Sequence, residues 1–63
     1  MKNWESLDEN ILLSIINMKL RNYYSSLIDL CDDLQIDQKK LEAKLATVNY
    51  YYQKTNNQFV YQD

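Results

Sequence analysis

A mainly α domain of three helices followed by a C-terminal β-hairpin is the fold this sequence predicts, and three observations carry that reading. Residues that start helices stand at Ser6, Ser26 and Asp37. Behind each of them apolar residues recur three and four apart, the spacing of one helix face. After Val48 the apolar period falls to two, the spacing of a strand.

The first helix is expected over about 6–21. Ser6-Leu7-Asp8-Glu9 matches a capping box, in which the serine oxygen accepts a backbone N–H and the glutamate reaches back. Lys19 and Arg21 fall in the last turn, where cations meet the carbonyl end of the helix dipole. Asn22 is expected as the left-handed terminator, in a chain that has no glycine. Ser26 should cap a second helix over 27–34, with an apolar stripe of Leu27, Leu30, Cys31 and Leu34. The turn Gln35-Ile36-Asp37 ends on an N-cap, and Ile36 is placed to pack on Leu41 as a hydrophobic staple. A third helix over 38–48 would turn Leu41, Leu45 and Val48 to one side. The hairpin is expected over about 49–62. A two-residue turn at Asn56-Asn57 would pair Tyr52 with Tyr61 and Lys54 with Phe59, leaving Tyr50, Tyr52, Phe59 and Tyr61 on one face. Two short helices joined by a tight turn form a helix-turn-helix, and the hairpin stands where a wing would be, so the whole is winged-helix-like.

With 63 residues the chain is read as one domain over 1–63. A domain of this size buries only about 60% of the surface its unfolded chain exposes, so extra buried area has a large effect. Cys31 is the single cysteine and there is no histidine, which excludes an internal disulfide and a four-ligand zinc site. Self-association is the remaining source of stability. The run Ile11–Leu13 is far too short to span a bilayer, and no signal segment stands out, so a cytoplasmic location is expected. Seven Lys and Arg against nine Asp and Glu give a net charge of −2, not the basic balance of a small domain that lives on nucleic acid.

For catalysis the inventory is thin, and no enzyme activity is expected. Without histidine a general base at neutral pH would need a carboxylate or lysine with a strongly moved pKa. The acidic residues fall instead on outward helical positions. Cys31 lies on the packing stripe of the second helix and reads as a buried structural thiol rather than a nucleophile. Asp29, Asp32 and Asp33 lie on a helix arc, not in the oxygen-rich loop a cation needs, so no metal or other cofactor is expected.

Two surfaces remain as candidates for binding. On the third helix, the arc opposite the apolar side holds Lys39, Lys40, Ala43, Lys44 and Thr47 with no acid among them, and Gln38 stands at its start. Such a face can meet phosphates and a major groove, so duplex DNA is one possible partner. The plainer reading is a solvated face, and the acids of the second helix oppose DNA. The first helix carries two apolar stripes. Leu12, Leu13, Ile16, Leu20 and Tyr23 form one, and Ile11, Ile15 and Met18 form another beside it. Either Trp4 and the hairpin fold over the second stripe, or Ile11, Ile15 and Met18, with Trp4, meet a second copy across a two-fold axis as a homodimer. Tyr51, on the opposite face of the hairpin from the other aromatics, is a further candidate for contact with a protein partner.

The chain also resembles a family of very short bacterial proteins classed as domain of unknown function 4250. The resemblance runs from about Asn10 to Val60. It rests on Leu12-Leu13-Ser14, Asn17-Met18-Lys19-Leu20-Arg21, Ser26-Leu27, Leu30-Cys31, Ile36-Asp37, Leu41, Leu45, Tyr50-x-Tyr52 and Asn57-Gln58-Phe59-Val60. Members often have glycine where Asn49 stands and an acid where Asn22 stands; asparagine also tolerates a left-handed backbone. The resemblance implies no activity. It does draw Asn17, Lys19 and Arg21 together as a candidate polar contact, beside the plainer reading of a favourably charged helix end. The chain is thus read as a small binding module, by self-association or protein contact first and as a DNA-binding accessory second.

Overall fold

The computed structural model describes residues 1–63. A short 3-10 turn at Trp4–Ser6 precedes α1 (Glu9–Asn22), α2 (Leu27–Leu34), α3 (Gln38–Ala46), β1 (Tyr50–Gln53) and β2 (Gln58–Tyr61). Three helices and a C-terminal antiparallel hairpin are therefore the architecture, in the element order of a winged helix. No helix is long and apolar enough to cross a membrane.

Helix α1 starts later than its capping box suggests. Asp8, not Ser6, is the N-cap, and its Oδ2 accepts the N–H groups of Asn10 at 2.9 Å and Ile11 at 3.3 Å. Ser6 is drawn off by the 3-10 turn, where its hydroxyl donates to Asn3 O at 2.8 Å. A carboxylate at this end also suits the positive pole of the helix. The other end differs too. Asn22 is helical, and the chain leaves α1 through Tyr23 at φ −126° rather than through a left-handed residue.

Helix α2 has the expected bounds and cap, Ser26 Oγ accepting Asp29 N–H at 3.1 Å. It ends on Gln35 in the left-handed region at φ 56°, with Ile36 N–H returning to Cys31 O at 2.9 Å. Asp37 caps α3 by accepting Lys40 N–H at 3.2 Å. That helix stops at Ala46 rather than Val48. Thr47 turns its hydroxyl onto Lys44 O at 2.6 Å, and Thr47, Val48 and Asn49 bond three residues back, tightening the chain out of the α pattern. Asn49 then takes φ 67°, the place where a glycine would fit, and β1 begins.

The hairpin register is offset by two from the expected one. Tyr50 pairs with Tyr61 and Tyr52 with Phe59, with Lys54 to Asn57 forming a four-residue loop. Only Asn57 is left-handed there, at φ 52°, whereas a two-residue turn at Asn56-Asn57 needs positive φ at both residues in type I′ and at Asn56 in type II′. An offset of two preserves side-chain facing. The four aromatics still share one face, Tyr50 against Tyr61 and Tyr52 against Phe59, each pair with centroids 5.7 Å apart.

Eleven residues close one core: Trp4, Leu12, Ile16, Leu20, Leu27, Leu30, Cys31, Ile36, Leu41, Leu45 and Phe59. Every secondary element but β1 contributes to it. Ile36 and Leu41 are both buried, as a staple requires, while Leu34, Val48 and three of the four hairpin aromatics are not fully buried. Burial, followed by the charges of Glu42 and Asp37, pushes the Cys31 thiol up to about 11. Between pH 9 and 11 the unfolded chain loses that proton while the folded one keeps it, so stability falls as pH rises through this window. A thiol reagent at neutral pH should accordingly label native Cys31 only at the rate of unfolding. Rapid stoichiometric labelling would contradict the burial.

Candidate functional site

The polar side chains with the most contacts are gathered where the hairpin meets α1. Asn17, half-way along α1, accepts Phe59 N–H at 2.8 Å on Oδ1 and donates from Nδ2 to Phe59 O at 3.0 Å. Its amide thus pairs with both backbone groups that Phe59 turns away from β1, as a neighbouring strand would. Gln58 Nε2 returns the contact by donating to Asn17 O at 3.0 Å. The outer edge of β2 is closed at this point by a single side chain.

A second latch lies at the turn. Asn57 Nδ2 donates to Leu20 O at 3.0 Å, in the last turn of α1, and to Tyr24 O at 2.9 Å, just past its end, while Lys19 O accepts the N–H groups of Tyr23 and Tyr24 locally. Asn57 Oδ1 accepts the Tyr52 hydroxyl at 2.6 Å, and that hydroxyl accepts Leu27 N–H at 3.3 Å, the first orphan donor of α2. The turn therefore ties β1, the end of α1 and the start of α2 together. Tyr24, in the same connection, donates to Asp33, and this hydrogen bond, ahead of burial and the charge of Asp33, raises the Tyr24 pKa.

The Asn17 side chain thus faces the hairpin, with both ends of its amide engaged by Phe59. Lys19 holds its ammonium 5.9 Å from the Tyr23 ring centre, and Arg21 is exposed with no hydrogen-bond partner in the chain. The latch residues Tyr52, Asn57 and Gln58 were not singled out for such a role by sequence reading. The one local signal was an asparagine at the hairpin turn.

On α3, Lys39, Lys40, Ala43 and Thr47 are exposed, but the face is not free throughout. Lys44 Nζ donates to Glu5 O at 2.9 Å and lies 3.5 Å from Glu9 Oε2, tying α3 to the start of α1. Half-buried Gln38 donates to Glu42 at 3.2 Å. The acids Asp29, Asp32 and Asp33 are all exposed on α2.

On α1 the two stripes separate cleanly. Leu12, Ile16 and Leu20 are buried to 2% exposure or less, whereas Ile11 is 55% and Met18 36% exposed, with Ile15 half-buried between them. Tyr23, assigned to the inner stripe, is 72% exposed because the helix ends before it. Trp4 is 6% exposed and belongs to the chain's own core rather than to the outward face of α1. Neither it nor the hairpin covers Ile11 and Met18. Tyr51 is exposed on the outer face of β1. A shallow groove of about 240 Å³ runs between Ser26, Leu27, Ile28, Gln38, Tyr52 and Lys54, and no three His, Cys, Asp or Glu side chains cluster to hold a metal ion.

Neither a curated protein nor a solved structure matches this chain. The sequence pattern of the family described as Domain of unknown function (DUF4250) matches residues 6–59, a span that holds every latch residue from Asn17 to Phe59. The chain belongs to that family.

Proposed function

We propose that this domain is a non-catalytic binding module that works by protein–protein contact through the outward face of α1, with a second copy of the chain as its partner. One observation carries the reading: eleven residues form the core while Ile11, Ile15 and Met18 remain outside it on one face. Exposed apolar residues scattered singly are ordinary, but three in helical register on a rigid element form a contact stripe. The polar groups that could have supported chemistry are engaged elsewhere. Asn17, Tyr52, Asn57 and Gln58 hold the hairpin, and Cys31 is buried with its thiol pushed up to about 11.

Contact with duplex DNA has less support. Lys44 is committed to Glu5 and Glu9, which leaves Lys39 and Lys40 as the free cations of α3, opposed by three exposed aspartates on α2. Light scattering at low salt, with and without a random-sequence duplex, separates the two readings. The expected result is a mass that rises above 7.6 kDa with protein concentration and is unchanged by the duplex. A monomer at every concentration that gains mass only with DNA would overturn the protein-contact reading.

A further inference from the structure

We infer that the second copy packs its α1 antiparallel to the first, about a two-fold axis beside Ile15, with Ile11 of one copy against Met18 of the other. This rests on the reading of the α1 face just given. At about 100° per residue, Ile11, Ile15 and Met18 fall within about 60° of one another, a narrow seam. At about 1.5 Å rise per residue, Ile11 and Met18 lie about 5 Å either side of the midpoint between Ser14 and Ile15. Inverted about that midpoint, the seam falls on its own image. Ile11 meets Met18, and the two Ile15 side chains stand about 1.5 Å from level.

A parallel pair would also align apolar residues, and charge decides between them. The first turn of α1 and its cap carry Asp8 and Glu9, and the last turn carries Lys19 and Arg21. Antiparallel packing sets each acidic end against a basic end and opposes the two helix dipoles, whereas parallel packing sets like on like. Asp8 and Lys19 also project on the same side of the seam, within about 20° of each other. Residues on the same side meet across a two-fold axis, so Lys19 of one copy faces Asp8 of the other. Both have capacity for it. The cap bonds use Asp8 Oδ2, leaving Oδ1, and Lys19 has no carboxylate partner in its own chain. A helix of 14 residues is about 21 Å long, and one such face buries less than the roughly 800 Å² per partner of a stable complex. The dimer is therefore weak, dependent on concentration, and weakened further by salt.

Disulfide trapping tests the arrangement. Ile11→Cys and Met18→Cys variants, distinguished by mass tags, are oxidised with oxidised glutathione alone and as an equimolar mixture. Cys31 stays out of the reaction because it is buried. The expected product is the mixed 11–18 disulfide, well above its statistical share, with little cross-linking of either variant alone. Strong 11–11 and 18–18 products would overturn the antiparallel packing while leaving self-association through α1 standing. No cross-link, together with a monomeric mass for the parent chain, would overturn both.

Discussion

Asn57→Ala should unlatch the hairpin and lower the thermal midpoint by roughly 10 °C or more, the largest effect expected of any single polar substitution in this chain. Two losses combine. Alanine at φ 52° lacks the local hydrogen bonding that lets asparagine occupy the left-handed region, and three bonds to Leu20 O, Tyr24 O and the Tyr52 hydroxyl disappear together. The backbone penalty is about 1–2 kcal/mol, and each lost bond adds about 1 kcal/mol, more where a carbonyl is left buried without water. For a domain this small, that is a large part of the whole stability. Asn57→Gly keeps the backbone permission and loses only the bonds, so its midpoint should lie between those of the parent and the alanine variant. Asn57→Asp keeps the acceptor for Tyr52 but turns a charge onto two carbonyl oxygens, and should be as damaging as alanine at neutral pH. Melting followed by tyrosine fluorescence ranks the three. Identical midpoints for alanine and parent would contradict the latch.

Ile15→Glu should abolish self-association without unfolding the chain. Ile15 lies outside the buried core, so the fold loses little when it becomes polar, and glutamate is at home in a helix. In the dimer, however, each new carboxylate would be desolvated against its counterpart near the two-fold axis. Removing two like charges from water with no partner costs several kcal/mol, enough to eliminate a weak complex. The variant should hold a monomeric mass at concentrations where the parent associates, with unchanged helical circular dichroism. Leu12→Glu, one turn position away on the buried stripe, should instead unfold the domain, since Leu12 is fully buried. Persistence of the dimer in the Ile15 variant would move the contact off α1.

Local signals carried most of the fold. Ser26 and Asp37 cap the helices they were expected to cap, and the drop in period after Val48 marks the hairpin, because capping and patterning act over a few residues. At the end of α1 and at the hairpin turn, a contact distant in sequence had replaced a local one. Asn22 was the obvious terminator for α1, yet it stays helical, and Leu20 O in the last turn is bonded by Asn57 from across the chain. The register slipped by two for a related reason: two adjacent asparagines fit a two-residue turn equally well, and only the docking of Asn57 on α1 selects the four-residue loop. Ser6 failed more simply, since Asp8 offers a carboxylate two residues on and Ser6 is occupied by the preceding turn. The candidate contact face was legible as a second stripe on α1. What the sequence could not divide was Trp4 from Ile11 and Met18. All are apolar, and only packing shows that the tryptophan is consumed by the core while the other two are left outside.

The most direct measurement of the contact face is an amide chemical-shift map of the parent chain through a dilution series. Self-association through α1 requires the shifts that move with concentration to centre on Ile11, Ile15 and Met18 and to fade toward α3 and the hairpin. Shifts centred on Lys39 and Lys40 or on the hairpin, or none at any concentration, would contradict it.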